Sequence, residues 1–181
     1  DILVNNAGRG AYGQLVHADP SELDTVVRTN LLGAIYVTRV FLPDMIARRN
    51  GHLVFVSSVL GELPAPHHAV YGSTKFAVTA LAESLRHELS TTNIDVTTVE
   101  PGLVRSEFAT ISGTPEVRFE QLPFKTSEHT AELIVDAIRR KCKIQITDSL
   151  SAFAIGVRRH FPGLFSLLFG TVFRKTVGRD S

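Results

Sequence analysis

The sequence is poor in cysteine and in net charge. Among its 181 residues Cys142 is the only cysteine, and 19 basic residues stand against 18 acidic ones. A lone cysteine cannot form a bridge within the chain, so the default environment is a reducing, cytoplasmic one. A net charge of +1 lacks the strongly basic field that attracts a phosphate backbone, and we therefore expect no nucleic-acid partner.

Signals for export and for metal binding are also absent. No basic segment followed by an apolar stretch and a cleavage site opens the sequence, which gives no sign of a signal peptide. His67 and His68 have no accompanying set of metal ligands, so we expect no metal. No internal repeat or linker is visible, and with 44% hydrophobic residues the chain is expected to form one domain with a sizeable core.

Short apolar runs alternate with longer helical patterns, which favours an α/β fold with a parallel sheet. The predicted strands are 2–5, 52–57, 94–99 and 144–147. Helices are predicted from 19 to about 41, over 71–89, and from 126 or 127 to 140. Gly33 and Pro43 are expected to bend or break the first of these helices.

One glycine-rich motif is interpreted as misleading. Gly8-Arg9-Gly10-Ala11-Tyr12-Gly13 matches the G-x-G-x-x-G pattern of dinucleotide-binding loops and follows a strand. A phosphate-binding loop opens directly into a helix, whereas here the next helix begins near Asp19, and no second strand ending in an acidic residue follows about 20 residues on. We interpret the motif as a surface loop.

Tyr71 and Lys75 offer acid–base chemistry, because residues four apart lie on one helix face. A free phenol has a pKa near 10, and lowering it by about three units requires about 4 kcal/mol of preference for the phenolate, which a nearby ammonium can supply. Such a phenol can donate a proton to a carbonyl oxygen during reduction or accept one from an alcohol during oxidation. The alternative is an exposed pair on a solvated helix face.

Two polar residues elsewhere could join this pair. Ser58 ends the second predicted strand, thirteen residues before Tyr71, and its hydroxyl could hold and polarise the same substrate oxygen. Alternatively, Ser58 caps a helix or lies in a loop. Asn30 interrupts an apolar helical pattern and needs partners for its amide. It is either functional or a satisfied core amide.

Segments at the carboxyl ends of two predicted strands could line a ligand pocket. Asn5-Asn6-Ala7-Gly8 ends the first strand, and Glu100-Pro101-Gly102 follows strand 94–99, with Ser106 beyond it. Glycine allows a flat ligand to approach the backbone closely. The alternative at both places is a simple turn.

Together these motifs resemble the short-chain dehydrogenase/reductase family, most strongly over residues 1–102. The resemblance implies a Rossmann-like, doubly wound parallel sheet and an oxidoreductase that uses NAD(P), with NADP(H) slightly favoured. It implies that Tyr71 is the catalytic acid/base, Ser58 orients the substrate oxygen, Lys75 tunes the phenol and binds the nicotinamide ribose, and Asn30 anchors a proton-relay water. The implied cofactor contacts are Asn5, Asn6, Ala7, Gly8, Tyr71, Lys75, Pro101, Gly102 and Ser106, the last in place of the family's more frequent threonine.

The family's glycine-rich first turn and the charged residue after its second strand have no counterpart in this sequence. We therefore expect a single, N-terminally truncated domain that lacks the family's first strands and helices. Its expected parts are a catalytic core (1–102), a substrate loop (103–127), a last helix and strand (128–150) and an apolar, Phe-rich tail (151–181). Two functions remain open: a carbonyl/alcohol oxidoreductase, or a non-catalytic fragment that acts as a binding or membrane-associated interaction protein.

Five phenylalanines mark the tail between Phe153 and Phe173. The apolar run from Phe161 to Phe173 is too short to span a membrane. Three interpretations remain open: a cover over an apolar substrate pocket, an interfacial helix that makes peripheral membrane contact, and a contact between subunits. Each suits a small apolar alcohol or ketone as the substrate. Because the family often pairs the helices that contain Asn30 and Tyr71 across subunits, the resemblance also predicts a homo-oligomer.

Overall fold

Four parallel strands form the main sheet. The computed structural model describes residues 1–113 and 124–177. Its strands are β1 (Ile2–Asn5), β2 (Gly51–Val56), β3 (Ile94–Glu100), β4 (Val104–Arg105), β5 (Lys125–Thr126) and β6 (Ile144–Ile146). The sheet has the order β1-β2-β3-β6, while β4 and β5 pair separately. The four predicted strands are confirmed, each to within one residue at its ends.

The helices cover both faces of this sheet. They are α1 (Pro20–Val27), α2 (Gly33–Arg48), α3 (Ala69–Glu88), α4 (Glu107–Ile111), α5 (Ser127–Arg139), α6 (Ser149–His160) and α7 (Pro162–Val177). Alternate residues of β2 point to opposite faces. Phe55 therefore packs with Val78 of α3 on one face, and Val54 packs with Ala137 of α5 on the other. This is a doubly wound, Rossmann-like α/β sheet, so the predicted fold class is confirmed.

The parallel register aligns the carboxyl ends of the strands. Asn5 of β1 lies opposite Phe55, and Val56 of β2 lies opposite Val99. The segments that leave β1, β2 and β3 therefore emerge along one edge of the sheet, where open α/β folds bind their ligands.

The first long helix contains a π-helical turn, Arg28–Leu32, directly before Gly33, where the sequence predicted an irregularity. The break predicted at Pro43 is wrong, because α2 continues through this residue to its end. Met45 explains the continuation. It is 3% exposed and packs so closely on Gly51 that a Cβ there would lie 2.7 Å from its sulfur. This packing offsets the backbone hydrogen bond that proline removes.

By length and composition, one helical stretch of the described chain, Pro20–Arg48, could cross a membrane. Two of its buried residues, Ala34 and Met45, belong to the core cluster that includes Phe55 of β2. One side of this stretch therefore packs in the core of the domain, while Tyr36, Val40 and Phe41 on it are exposed.

The described residues of the predicted substrate loop, 103–113 and 124–127, contain regular structure where the sequence predicted an irregular segment. They form β4, α4 and β5, and residues 114–123 lie outside the described part. Short strands form here because Val104 and Arg105 pair in parallel with Lys125 and Thr126.

The Phe-rich tail forms two helices, α6 and α7, that separate at Phe161. Phe165 is buried and stacks on Phe169 with 4.3 Å between the ring centroids. Phe153 and Phe161 are 70% and 62% exposed. The side chain of Phe173 lies outside the described part. The tail therefore contributes phenylalanine side chains both to the buried core and to the exposed surface.

Candidate active site

Four predicted site residues lie at the carboxyl edge of the sheet. Ser58 follows β2 and caps a 3₁₀ turn, Val59–Gly61. Tyr71 and Lys75 lie in the first turns of α3, and Asn30 lies in the π-helical turn. All four residues are buried, with at most 8% of their surface exposed. The alternative of an exposed tyrosine and lysine on a solvated face is wrong.

The neighbouring Ser57 fixes this turn against α3. Its hydroxyl donates to the carbonyl of Lys75 at 3.0 Å and lies 2.8 Å from the Thr79 hydroxyl. Gly61 lies directly against the same hydroxyl: a Cβ on Gly61 would lie 2.6 Å from the Ser57 oxygen. A glycine is therefore needed where the turn meets the helix, and this contact turns Ser58 toward α3.

Ser58 lies close enough to Tyr71 for its hydroxyl to favour the phenolate, which lowers the pKa of Tyr71. The Ser58 hydroxyl also accepts the backbone N–H of Leu60 at 3.1 Å, which caps the turn. The two interpretations of Ser58 from the sequence are thus compatible: it is a cap, and it contacts the phenol. A substrate oxygen that meets one of these hydroxyls would meet the other.

The sequence-based prediction that Lys75 lowers the pKa of Tyr71 is wrong for this arrangement. Burial raises the pKa of Tyr71 to about 12, and the hydrogen bond from Ser58 opposes this only in part. The Lys75 ammonium lies 5.8 Å from the ring centroid and donates to the carbonyl of Val56 at 2.9 Å. Burial therefore outweighs the attraction of the cation, and the phenol is protonated at neutral pH.

Lys75 is itself strongly affected by its surroundings. Burial lowers the pKa of its ammonium to about 8, because a low-dielectric environment disfavours the charged form. Gly8 lies beside it: a Cβ on Gly8 would be 3.5 Å from the Lys75 nitrogen and 3.7 Å from the Asn30 amide oxygen. The loop after β1 thus runs directly beside the buried ammonium, at the distance of an ordinary van der Waals contact.

Asn30 is a fully satisfied amide. Its Nδ2 donates to the Arg9 carbonyl at 2.9 Å and to the Thr74 hydroxyl at 3.0 Å, and its Oδ1 accepts the Arg9 N–H at 2.7 Å. It therefore links the loop after β1 to α3. The core-amide interpretation is confirmed, and the implied proton-relay role stays a prediction. Short π-helical turns often occur at functional sites.

The residues that the family resemblance implies as cofactor contacts differ in exposure and in hydrogen bonding. Asn6, Ala7 and Gly8 are exposed at the end of β1, whereas the Asn5 amide donates to the Thr38 hydroxyl at 3.0 Å. The residues after β3, Pro101, Gly102 and Ser106, differ from one another in their hydrogen-bond partners. Pro101 accepts the Val59 N–H at 2.9 Å, Gly102 donates to the Thr147 hydroxyl at 3.0 Å, and the exposed Ser106 caps α4.

Aromatic rings cover Tyr71, and the sequence analysis missed them. The Phe108 ring of α4 lies 5.5 Å from the Tyr71 ring between centroids, and the His68 ring lies 6.3 Å away. Burial lowers the pKa of His68, and His67 lowers it further. Aromatic residues in loops follow no periodic pattern, so no sequence signal could have identified this cover.

A cavity of about 560 Å³ adjoins the cover. It lies between the loop from Arg9 to Asp19, the start of α3 at Ala69, and the segment 110–113. The G-x-G-x-x-G motif forms part of this wall. A Cβ on Gly10 would lie 2.4 Å from Ser112, so this glycine permits the contact between two loops. The interpretation of the motif as a loop is confirmed, since α1 begins only at Pro20.

The sequence patterns also did not identify a pair of acidic residues, Glu62 and Glu100, beside the turn Val59–Gly61. Glu100, the last residue of β3, is 0% exposed, and neither carboxylate oxygen has a hydrogen-bond partner among the described residues. Its pKa is raised to about 7, mainly by burial and also by the Glu62 carboxylate, while Arg159 acts in the opposite direction. Among the described residues, no group of three or more His, Cys, Asp or Glu could hold a metal ion.

The short chain dehydrogenase family model matches residues 1–116. The Bos taurus dehydrogenase/reductase SDR family member 7B is 31% identical over 182 aligned positions, which cover 97% of this chain and 56% of that protein. The Drosophila melanogaster dehydrogenase/reductase SDR family protein 7-like is 32% identical, over 91% of this chain and 53% of that protein. This chain thus spans just over half the length of these relatives.

Solved structures show the same fold. A Burkholderia phymatum short chain dehydrogenase/reductase in complex with NAD has a TM-score of 0.78 and 26% identity, covering 90% of this chain and 66% of that one. A Sphingobium yanoikuyae short-chain dehydrogenase in complex with NADPH has a TM-score of 0.76 and 23% identity, covering 99% and 65%. With its motifs, its sheet and these matches, the chain belongs to the short chain dehydrogenase family.

Proposed function

We propose that the protein is an NAD(P)-dependent oxidoreductase that interconverts a carbonyl and an alcohol on a small apolar substrate. The observation that carries the proposal is the burial of Ser58, Tyr71 and Lys75 in one place, with the Ser58 hydroxyl near the phenol and the Lys75 ammonium 5.8 Å from the centroid of its ring. A proton donor next to a polarising hydroxyl is what carbonyl reduction requires. Membership of the family supports this assignment.

Tyr71 is the acid in the reductive direction. Because its pKa is about 12, the phenol holds its proton at neutral pH and can donate it to a carbonyl oxygen. The Ser58 hydroxyl rotates toward the same oxygen, and so orients and polarises the carbonyl. In the oxidative direction, the Lys75 ammonium stabilises the phenolate that accepts the alcohol's proton.

The residues around Gly8 fit a nicotinamide dinucleotide. The glycine leaves the backbone open beside Lys75, whose ammonium has N–H donors beyond the one used on Val56. Lys75 would hold the ribose hydroxyls, and Pro101-Gly102 would border the nicotinamide. When bound, NAD(P) supplies or accepts the hydride. The complexes of two structural relatives with NADPH and NAD support this cofactor class. The slight preference for NADP(H) stays a prediction.

The cover over Tyr71 favours an apolar substrate. The Phe108 ring must be displaced, or must pack on the substrate, when a carbonyl reaches the phenol, and either event favours an apolar molecule. The segment 103–113 therefore belongs to the substrate loop. The adjoining cavity of about 560 Å³ has the size of a small-ligand site.

Two surfaces support the partners expected from the sequence. The exposed apolar face of α2, formed by Tyr36, Val37, Val40 and Phe41, would pair with a second copy of the chain in a homo-oligomer. The tail would contact an anionic lipid surface. Residues 149–179 contain no acidic residue and five Lys or Arg, and Phe153 and Phe161 are exposed there. Apolar side chains with basic flanks suit a membrane interface.

The decisive experiment compares the parent protein with Tyr71→Phe. Hydride transfer to apolar ketones is followed through NADH or NADPH absorbance, in this chain and in a chain extended to the length of its relatives. The substitution should lower turnover by about a hundred- to ten-thousand-fold with the fold intact. Unchanged turnover would contradict the proposal. Absence of dinucleotide binding together with a defined protein complex would favour the non-catalytic alternative.

A further inference from the structure

Helix α6 contacts the candidate site at its N-terminal end. Asp148 caps the helix by accepting the Ser151 N–H at 2.8 Å, and its second carboxylate oxygen lies against Gly102. A Cβ on Gly102 would be only 2.1 Å from that oxygen. Thr147 accepts the Gly102 N–H at 3.0 Å. The start of α6 therefore fixes the segment that follows β3.

The C-terminal end of α6 contacts the other side of the site. Nη2 of Arg159 lies 2.5 Å from one oxygen of Glu62, and its Nε lies 3.4 Å from the other. The Glu62 side chain is 9% exposed, while that of Arg159 is 48% exposed. Because a guanidinium in contact with both carboxylate oxygens defines an orientation as well as a distance, this ion pair can position what Glu62 is attached to.

Glu62 directly follows the turn that carries Ser58. Its N–H donates to the Val59 carbonyl at 3.0 Å, and the Val59 N–H donates to the Pro101 carbonyl at 2.9 Å. Both ends of α6 thus act on one turn. Arg159 acts on it through Glu62, and the start of the helix acts on it through the segment that contains Pro101.

The buried Glu100 lies near the ion pair, so the positive charge of Arg159 compensates a site that holds two carboxylic groups. Glu62 and Arg159 both influence Glu100, in opposite directions, so the three charged groups are neighbours. Without the guanidinium, the Glu62 carboxylate would be left almost buried, beside a second carboxylic group and without its cation. Such a charge is unfavourable unless it reaches water. Glu62 would then move outward, and the turn would move with it.

We propose that Arg159 is a positioning residue for Ser58, and that it acts through Glu62. The guanidinium holds the turn in the position that places Ser58 beside Tyr71. Its effect on turnover rests on the proposed function, whereas its effect on the turn does not. The tail helix is thereby part of the machinery that aligns the substrate carbonyl.

The test replaces Arg159 and compares it with its neighbour. Arg159→Gln removes the ion pair and keeps most of the side chain, and Arg159→Lys restores the charge without the two-point contact. Arg158→Gln is the matched control, because Arg158 lies on the same helix turn but over the Phe76 ring, 5.2 Å from its centroid. Glu62→Gln breaks the same ion pair without leaving a buried charge, should Arg159→Gln fail to fold.

The first readout is hydrogen exchange at the Leu60 amide, which donates to Ser58. We expect exchange about tenfold faster in Arg159→Gln, smaller increases in Glu62→Gln, which loses the ion pair but leaves no buried charge, and in Arg159→Lys, and the parent rate in Arg158→Gln. This measurement needs no turnover, so it decides the effect on the turn even if the proposed function fails. An unchanged Leu60 rate in both ion-pair variants would overturn the proposal.

The second readout separates kcat from KM. Arg159→Gln should lower kcat by about 10- to 100-fold, because small displacements of an orienting group are costly. KM for the dinucleotide should change less than about twofold, since Lys75 and Gly8 are not displaced. Faster exchange with an unchanged kcat would also overturn the proposal, because Arg159 would then be merely structural. A parent protein without turnover would contradict the proposed function instead.

Discussion

The Lys75 ammonium lies 5.8 Å from the centroid of the Tyr71 ring and donates to the carbonyl of Val56. The cation is thus held at the end of β2, beside the phenol. Burial raises the pKa of Tyr71 to about 12 and lowers that of Lys75 to about 8. Burial thus disfavours the charged form of both groups, so that at neutral pH the phenol holds its proton while the lysine, with a pKa of about 8, is still mostly an ammonium.

The first prediction concerns the titration of Lys75. Its side-chain resonance, followed by NMR and assigned with Lys75→Met, should titrate near pH 8, below the ordinary lysine value of 10.5. Since the folded pKa is lowered, the folded state binds this proton less tightly than the unfolded state. The contribution of Lys75 to the free energy of unfolding should therefore increase as pH rises from about 8 to 10.5. A midpoint near 10.5 would contradict the burial of this ammonium.

The second prediction concerns Glu100. Its folded pKa of about 7 lies above the ordinary 4.5, so its stabilising contribution is fully present below about pH 4.5 and is lost as pH rises through about 7. Glu100→Gln remains neutral and should lose this dependence. Urea unfolding at pH 5 and pH 8 should show roughly 2 to 3 kcal/mol more loss in the parent protein than in the variant. Equal losses in both proteins would contradict the prediction.

The third prediction compares two glycines. In Gly61→Ala the new methyl would lie 2.6 Å from the Ser57 hydroxyl and 2.9 Å from the carbonyl of Lys75, so the variant should lose about 1 to 3 kcal/mol of stability. Gly72→Ala is the control. Its methyl would meet the Leu60 carbonyl at an ordinary 3.5 Å within α3, where alanine is favoured by about 0.5 to 1 kcal/mol.

Thermal or urea unfolding measures both variants. If Gly61→Ala proved as stable as the parent protein, the close approach of the turn to α3 would be wrong.

The fourth prediction tests the membrane surface of the tail. The protein should co-sediment with vesicles that contain phosphatidylserine more strongly than with phosphatidylcholine alone, and salt should weaken this binding. Replacing the exposed Phe153 and Phe161 by serine should reduce it several-fold. Val16→Ser is the control, because Val16 is 79% exposed and lies outside both the tail and the apolar face of α2. Equal binding by the tail variant and the parent protein would argue against lipid contact.

Local patterns were sufficient for the strands and most of the helices. The alternation of short apolar runs with helical stripes predicted all four strands of the main sheet. The capping pattern placed the start of α5 correctly, since Thr126 accepts the N–H of His129 at 3.1 Å. Pro43 does not end α2. Whether a proline ends a helix depends on what the following turn packs against, and here Met45 packs on Gly51.

The candidate site was predictable in its members but not in its electrostatics. The four-residue spacing placed Tyr71 and Lys75 on one helix face, and the strand ends identified Ser58. The direction of the tyrosine's pKa was wrong because desolvation depends on residues distant in sequence, such as Phe108, whose ring covers the phenol. The spacing of residues in the sequence predicts which side chains lie near one another, but it does not predict how far water is excluded from them.

The sequence by itself determined the order of strands and helices along the chain, the helix faces and the placing of Tyr71 and Lys75 on one face of α3, because these depend on periodicity and local spacing. Only the tertiary structure decided that Arg159 reaches Glu62, that Glu100 is buried with no hydrogen-bond partner in the described part of the chain, and that Gly10 and Gly61 are points of close contact. Such relationships join residues far apart in the chain, and only the packing of the helices on the sheet brings them together.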